Sequence, residues 1–243
     1  MSRVVGVAIG AVVLAIGVAV AGWFVGNGFV EARTGDRFVT VKGLSEREVQ
    51  ADLALWPMKF VATSNDLGEA QNKLKQDARA VTAFLDNAGI PESAVDVQSI
   101  QVTDLLAQQY RSGPVESRFI VSQTLMVRSP DIDAIAAASQ RIGDLVDAGV
   151  VLSADNPMMS GPIYLFTRLT DLKPAMIAEA TANARQGAEQ FAADSGSHLG
   201  GIRRANQGVF QILARDNAPG IMEETQILKT VRVVSTIDYY LED

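Results

Sequence analysis

Over the first part of the chain apolar and polar positions do not alternate at all: residues 4–25 read VVGVAIGAVVLAIGVAVAGWFV, without a single charge. Such a segment is apolar on every face. As a helix at about 1.5 Å per residue it is about 33 Å long, enough to cross a hydrocarbon core of about 30 Å. It predicts a transmembrane anchor within residues 1–30 and a short linker over 31–37. The alternative is a cleaved signal peptide, because AVA at 19–21 has the small-x-small form that signal peptidases cut. The apolar run continues past that point through Trp23, Phe24 and Val25. Gly6 with Gly10, and Gly22 with Gly26, stand at GxxxG spacing, which lets the backbones of neighbouring membrane helices approach closely.

From residue 38 onward the pattern changes. Odd positions are apolar between 49 and 55, and even positions take over from 56 to 62 with Trp56, Met58, Phe60 and Ala62. A strand has period two, so the switch predicts one long strand with a bulge or bend, marked by Pro57, which cannot donate to a ladder. Residues 66–88 carry a helical stripe of Leu67, Ala70, Leu74, Val81, Phe84 and Ala88 behind Asp66 and Glu69 in capping-box spacing. Alternation returns over 95–110, with Val102, Leu106 and Tyr110 in phase, and over 118–128; the polar RSGPVES between them predicts a hairpin. A second helix is expected over 130–148, opened by SPDID and closed by Gly149. An interrupted strand over 150–167 leads to a third helix over 171–196, whose stripe Met176, Ala180, Ala184 and Ala188 is small-sided. Strands over 202–214 and 227–241 follow, the latter with Ile227, Val231, Val233, Ile237, Tyr239 and Leu241 on one face.

These elements define an α+β domain over residues 38–243, with long, mostly antiparallel strands and about three packed helices. The order strand, Asp-Leu, helix, glycine, strand occurs twice, which points to an internal βαβ-type duplication. At about 3.3 Å per residue the last strand is about 50 Å long, enough to protrude and pair with another subunit.

Charge and rare residues narrow the function. The formal charge is -7, and Arg3 is the only charged residue before Glu31. The part beyond the apolar segment is therefore acidic, which excludes the clustered Lys and Arg of a nucleic-acid or anionic-lipid surface. Arg3 on one flank and the balanced EARTGDR on the other favour a cytoplasmic N-terminus and an exported domain. The absence of cysteine removes disulfides, thiolate nucleophiles and thiolate metal sites together. His198, the only histidine, falls just past a predicted helix end, where the helix dipole favours it. Asp131 and Asp133 sit at a helix start, as capping residues do. Glu46, Glu48 and Asp52 share one parity, with Arg47 opposite, and no second cluster is present to raise a carboxyl pKa. Glu223 and Glu224 read as solvated loop charge, and Arg203 and Arg204 point to opposite strand faces. No catalytic, cofactor-binding or metal-binding residue is assigned, and no cofactor is expected.

Four segments spread over residues 38–242 resemble the SIMPL-domain family of bacterial exported envelope proteins. They are VTVKGLSEREVQADLALW, AGIPESAVDVQSIQV ahead of an aromatic-rich hairpin, ATANARQGAEQFAADSGSHLG, and TVRVVSTIDYYLE. The usual VxGxGxxxxxPDxA pattern is departed from at Ala51, which stands where a proline precedes Asp52, while a proline comes later at Pro57. The tail also lacks the Pro-rich, Met-rich insertion many members carry before the last strand. The resemblance implies an exported α+β domain that forms homo-oligomers, some ring-like, is tied to envelope or oxidative stress, and has no established catalytic residues. The expectation is thus a non-enzymatic periplasmic protein, single-pass in the inner membrane, that assembles with itself. Gly43, Asp52, Trp56 and Pro57 are its expected structural residues, Val39, Val41, Leu53 and Leu55 join Trp56 in core or subunit contacts, and Gly6, Gly10, Gly22 and Gly26 serve the helix. Two other classes stay open. One is a periplasmic carboxylate-dependent hydrolase, which needs two carboxyls about 5 to 9.5 Å apart in a cleft. The other is an accessory subunit that docks through the N-terminal helix onto a membrane transport complex or another envelope protein.

Overall fold

The structure, a computed structural model, describes residues 2–34, 37–107, 116–153, 161–216 and 218–242, with side chains described for all of these except 2–9, 11 and 29–34. Tyr110, most of the hairpin tip and the middle of the interrupted strand lie outside the described residues. An N-terminal helix, α1 (Ser2–Thr34), comes first. Among the described residues no helix is long and apolar enough to cross a membrane. The expected span at 4–25 is therefore not shown, and its first residues lie outside the described side chains. The chain forms two compact units, one of Met1–Ser45, Ala175–Val209 and Val233–Asp243, the other of Glu46–Pro174 and Phe210–Arg232.

In the second unit the central strand is β2 (Leu53–Ser64). It follows β1 (Phe38–Gln50) after two residues. The bend expected at Pro57 is not there. Every even position of β2 from Ala54 to Ala62 is buried, and the antiparallel ladder to β4 (Phe119–Ser129) runs from Ala54 opposite Ser129 to Ser64 opposite Phe119 without a register break. The odd phase runs on through Ala51 and Leu53 and the even phase begins at Ala54, so the change falls at the first residues of β2, just after the break between two separate strands. Pro57 fits a straight strand because of where its missing donor falls. Val61 donates to Val151 O at 2.9 Å on the edge away from β4, and alternate residues share an edge. On that edge β6 (Ile163–Leu165) covers residues 53–55 and β5 (Leu152–Ser153) covers 59 and 60, so Pro57 sits in the interval between them.

Helix α2 (Leu67–Asn87) packs on β2 and β4. Asp66 caps it by accepting from Glu69 N–H at 2.9 Å. The reciprocal half of the expected capping box is supplied by Ser64, whose hydroxyl takes the Asp66 N–H and donates to Glu69. A short 3-10 turn, Glu92–Ala94, leads into β3 (Val95–Asp104), which pairs antiparallel with β4 as the expected hairpin. The second predicted helix is two pieces, α3 (Ile132–Gln140) and α4 (Gly143–Asp147), so the described residues after α1 hold four α-helices where about three were expected. Trp56, Met58, Phe60, Leu74, Val81, Leu85, Val121, Val127 and Ile135 share one buried cluster. Beyond it, β8 (Gln211–Ala214) pairs with residues 229–232 of β9 (Leu228–Glu242).

In the first unit β9 runs between β1 and β7 (His198–Gln207). The final strand is thus an interior strand here, and its length serves two neighbours in its own chain. Its odd positions Val233, Ser235, Ile237 and Tyr239 are buried. From α5 (Leu169–Asp194), Met176, Ala180, Ala184 and Ala188 are fully buried, as the small-sided stripe predicts, and Ala184 and Ala188 join Val39, Ile237 and Tyr239 in one cluster.

Candidate functional site

The joint between β1 and β2 is tied by hydrogen bonds to distant parts of the second unit. Ala51 N–H donates to Ile227 O at 2.8 Å and Asp52 N–H to Leu165 O at 2.9 Å. The Asp52 carboxylate accepts from Thr167 N–H at 2.9 Å and from Arg168 Nε at 3.1 Å. Burial pushes the Asp52 carboxyl up, but the hydrogen bonds from Thr167 and Arg168 outweigh it and hold the group below its ordinary value of 3.8. Only 13% of the Asp52 side chain is exposed, against 69% of Arg168.

Asp52 and Arg168 line a cleft of about 450 Å³ with Gln50, Pro130, Asp131 and Asp133. Arg168 also lines a cleft of about 320 Å³ with Val49, Gln50, Phe166, Asp171 and Leu172. The first is rich in carboxylates, and its chemistry turns on their state. A general acid needs a carboxyl raised toward neutrality, whereas Asp52 is shifted the other way. Asp131 is engaged as the N-cap of α3, accepting from Ala134 N–H at 3.0 Å. Among the described residues no group of three His, Cys, Asp or Glu is placed to hold a metal ion. The joint ties three chain segments together, and its carboxylate works as an acceptor.

A pH test follows from that role. Because the folded value of Asp52 is depressed, its contribution to stability is present above the ordinary carboxylate range and is lost as pH falls through the folded value. Urea midpoints of the wild type and Asp52→Asn should lie well apart at pH 6 and converge toward pH 3. A gap that stays constant over that range would remove the ionised carboxylate from the account.

Residues 39–235 match the model of the family SIMPL, described as a protein of unknown function (DUF541). The chain belongs to the SIMPL family. No curated protein matches the sequence. At this joint the Ala51 N–H makes a hydrogen bond to Ile227 O that a proline there could not.

The other residues singled out in the sequence fall in separate places of the SIMPL domain. Trp56 is 1% exposed in the core, and Pro57 is half-buried beside it. Val39 and Leu53 are buried, Val41 and Leu55 half-buried. Gly43 lies against α5: an added Cβ would come 2.5 Å from Ala184 N, 2.8 Å from Ala184 Cβ and closer still to the Ala180 carbonyl oxygen. Around that contact Asn183 Nδ2 donates to Leu44 O at 2.8 Å and Ser45 Oγ to Glu179 at 3.0 Å. In α1 nothing lies within 4 Å of a Cβ built on Gly10, Gly22 or Gly26, and the Gly6 side is outside the described side chains. His198 opens β7 opposite Glu242. Arg203 stacks over the Phe38 ring at 4.1 Å, and Arg204 stands opposite Asp238.

Lys229 and Arg118 make charged contacts that the sequence pattern does not announce. Lys229 is fully buried and pairs with Glu223, whose backbone carbonyl also accepts from Lys229 Nζ at 2.7 Å. Glu223 is thus an anchor and not a solvated loop charge. The available signal was parity, since Lys229 falls in phase with Val231 and Val233 on the buried face of β9. At the base of the hairpin, Arg118 grips the Asp104 carboxylate at 2.8 to 3.3 Å, and these hydrogen bonds, more than charge alone, hold the Asp104 carboxyl below its ordinary value.

Proposed function

We propose that this SIMPL protein is a non-catalytic assembly module held to a membrane by α1, with the domain after it on the exported side and copies of that domain associating with one another. The observation that carries the proposal is the state of α1. Val12, Val13, Leu14, Ile16, Val18, Trp23, Phe24 and Val25 are all more than half exposed. Each large apolar side chain left in water forgoes about 1.5 to 3 kcal/mol of burial, so a helix bare on all sides requires lipid or protein around it. Arg3 at its start, with balanced charge after it, sets the direction of insertion. A non-catalytic role is supported by the commitment of the cleft carboxylates: Asp131 caps a helix and Asp52 clasps Thr167 and Arg168.

The test has two arms. Full-length protein in washed membranes should stay with the pellet through alkaline carbonate and come off only in detergent, whereas a chain beginning at Glu31 should be recovered in the soluble fraction. Light scattering of both forms should give the same number of domains per particle, more than one. Release of the full chain by carbonate would overturn the anchor, and monomers in both forms would overturn self-association.

A further inference from the structure

The long strands left open on one side differ in how they are guarded. Open edges expose unpaired N–H and C=O groups, and proteins ordinarily blunt them with Lys, Arg, Pro or bulges. β1 carries Lys42 and Arg47, and β7 carries Arg203 and Arg204 together with two register breaks against β9. β3, at the end of the order β3, β4, β2, β5, has no Lys, Arg or Pro anywhere in Val95–Asp104, and its charges are the acids at its two ends, Asp96 and Asp104. Its one irregularity falls between Val97 and Ser99, and from Ser99 to Asp104 it pairs with β4 without a break.

The apolar face of this strand is also left uncovered. Val97, Ile100 and Val102 stand opposite Leu125, Gln123 and Val121 of β4 and so lie on the same sheet face. Those β4 residues are buried, yet Val97 is 61% exposed, Ile100 60% and Val102 50%. The apolar surface of the sheet runs on past β4 onto a strand that nothing in its own chain covers among the described residues.

The sequence itself says what fits there. Read in both directions from Gln101, the run Ser99, Ile100, Gln101, Val102, Thr103 has the same chemical pattern. If two copies of the strand lie antiparallel about an axis at Gln101, Ile100 faces Val102, Ser99 faces Thr103, and Gln101 faces itself. Apolar meets apolar on one face and hydroxyl meets hydroxyl on the other, the pairings that stabilise antiparallel strands. Asp104 then faces Gln98 of the other copy, with no like charge opposite, and it is already neutralised by Arg118.

We propose that β3 is a self-association edge, pairing antiparallel with β3 of a second copy about a two-fold axis at Gln101. The pairing presupposes the self-association proposed for the domain and names the strand that performs it. In such a pair the two Gln101 Cα atoms stand about 4.5 to 5.5 Å apart, inside the span of about 4.4 to 6.8 Å that a disulfide bridges. The chain has no cysteine of its own, so an introduced thiol reports alone.

The experiment uses the full chain in detergent under mild oxidation. Gln101→Cys should convert most of the protein to a reducible covalent dimer, while Gln207→Cys, on the open edge β7, should give at least tenfold less. Ile100→Lys, at a position already exposed, should leave the circular dichroism spectrum of the folded protein unchanged and lower the particle mass measured by light scattering. If the wild type is a multimer but Gln101→Cys does not cross-link and Ile100→Lys keeps the same mass, the β3 edge is overturned and self-association stands. If the wild type is a monomer, both fall.

Discussion

Trp56→Ala will lower the stability of the domain by about 3 to 5 kcal/mol, the cost seen when a large aromatic is removed from a core that does not collapse around the space. Three features put this position in that range. Trp56 is 1% exposed, so nearly its whole surface is taken from water. It stands opposite Val127 in a ladder without breaks, so the sheet beneath cannot shift toward the gap. Other members of the cluster, such as Leu85 of α2 and Ile135 of α3, are also fully buried and anchored in other elements. Equilibrium urea unfolding is the measurement, with Trp23→Ala in the exposed stretch of α1 as the comparison, expected to leave the transition in place. A loss under about 1 kcal/mol at Trp56 would mean that the core repacks around the hole.

The second large effect inverts a usual rule. Gly→Ala at a permissive backbone position stabilises by about 0.4 to 1 kcal/mol, because the unfolded chain loses freedom. At Gly201 in β7 nothing lies within 4 Å of the added methyl, so Gly201→Ala should follow the rule or be neutral. At Gly43 the methyl would meet the Ala180 carbonyl and the Ala184 amide, which are helix backbone and cannot rotate aside. Overpacking costs about 1 to 3 kcal/mol when side chains can adjust and more when they cannot. Gly43→Ala should therefore cost at least about 3 kcal/mol, with the sheet forced away from α5 or the unit unfolded. Equal urea midpoints for the two alanine variants would sink the close-contact account of Gly43.

What could be read from the chain depended on whether a signal was local. The stripe from Leu67 to Phe84 and the alanines of α5 repeat along one helix face, and both helices are found where that period places them. The hairpin of β3 and β4 was equally plain, because each strand carries its own alternation. Ala51 and Asp52 were harder, since their partners are Ile227, Leu165, Thr167 and Arg168, far away in sequence. Parity read through the joint as if the strand were continuous assigns the phase change to Pro57, the visible breaker, when it falls between Leu53 and Ala54, where a new strand begins. Lys229 was missed for a related reason: its partner Glu223 stands in a short turn whose contact with the core no local pattern announces. The SIMPL resemblance marked Asp52 as a position of interest, and only its hydrogen bonds give that position a physical role.

The contact of β1 with α5 also sets how this unit carries load. β1 is the first strand after α1, so tension from the N-terminal side enters the fold along it. β1 is hydrogen-bonded to β9 lengthwise, and a pull along its axis loads those bonds in shear, all at once, instead of peeling them one by one. Gly43 seated against Ala180 and Ala184, with Leu44 and Ser45 bonded to Asn183 and Glu179, adds a catch against sliding. The alanine ladder has no rotamers to yield, which makes this a stiff mechanical clamp between the incoming chain and the body of the unit.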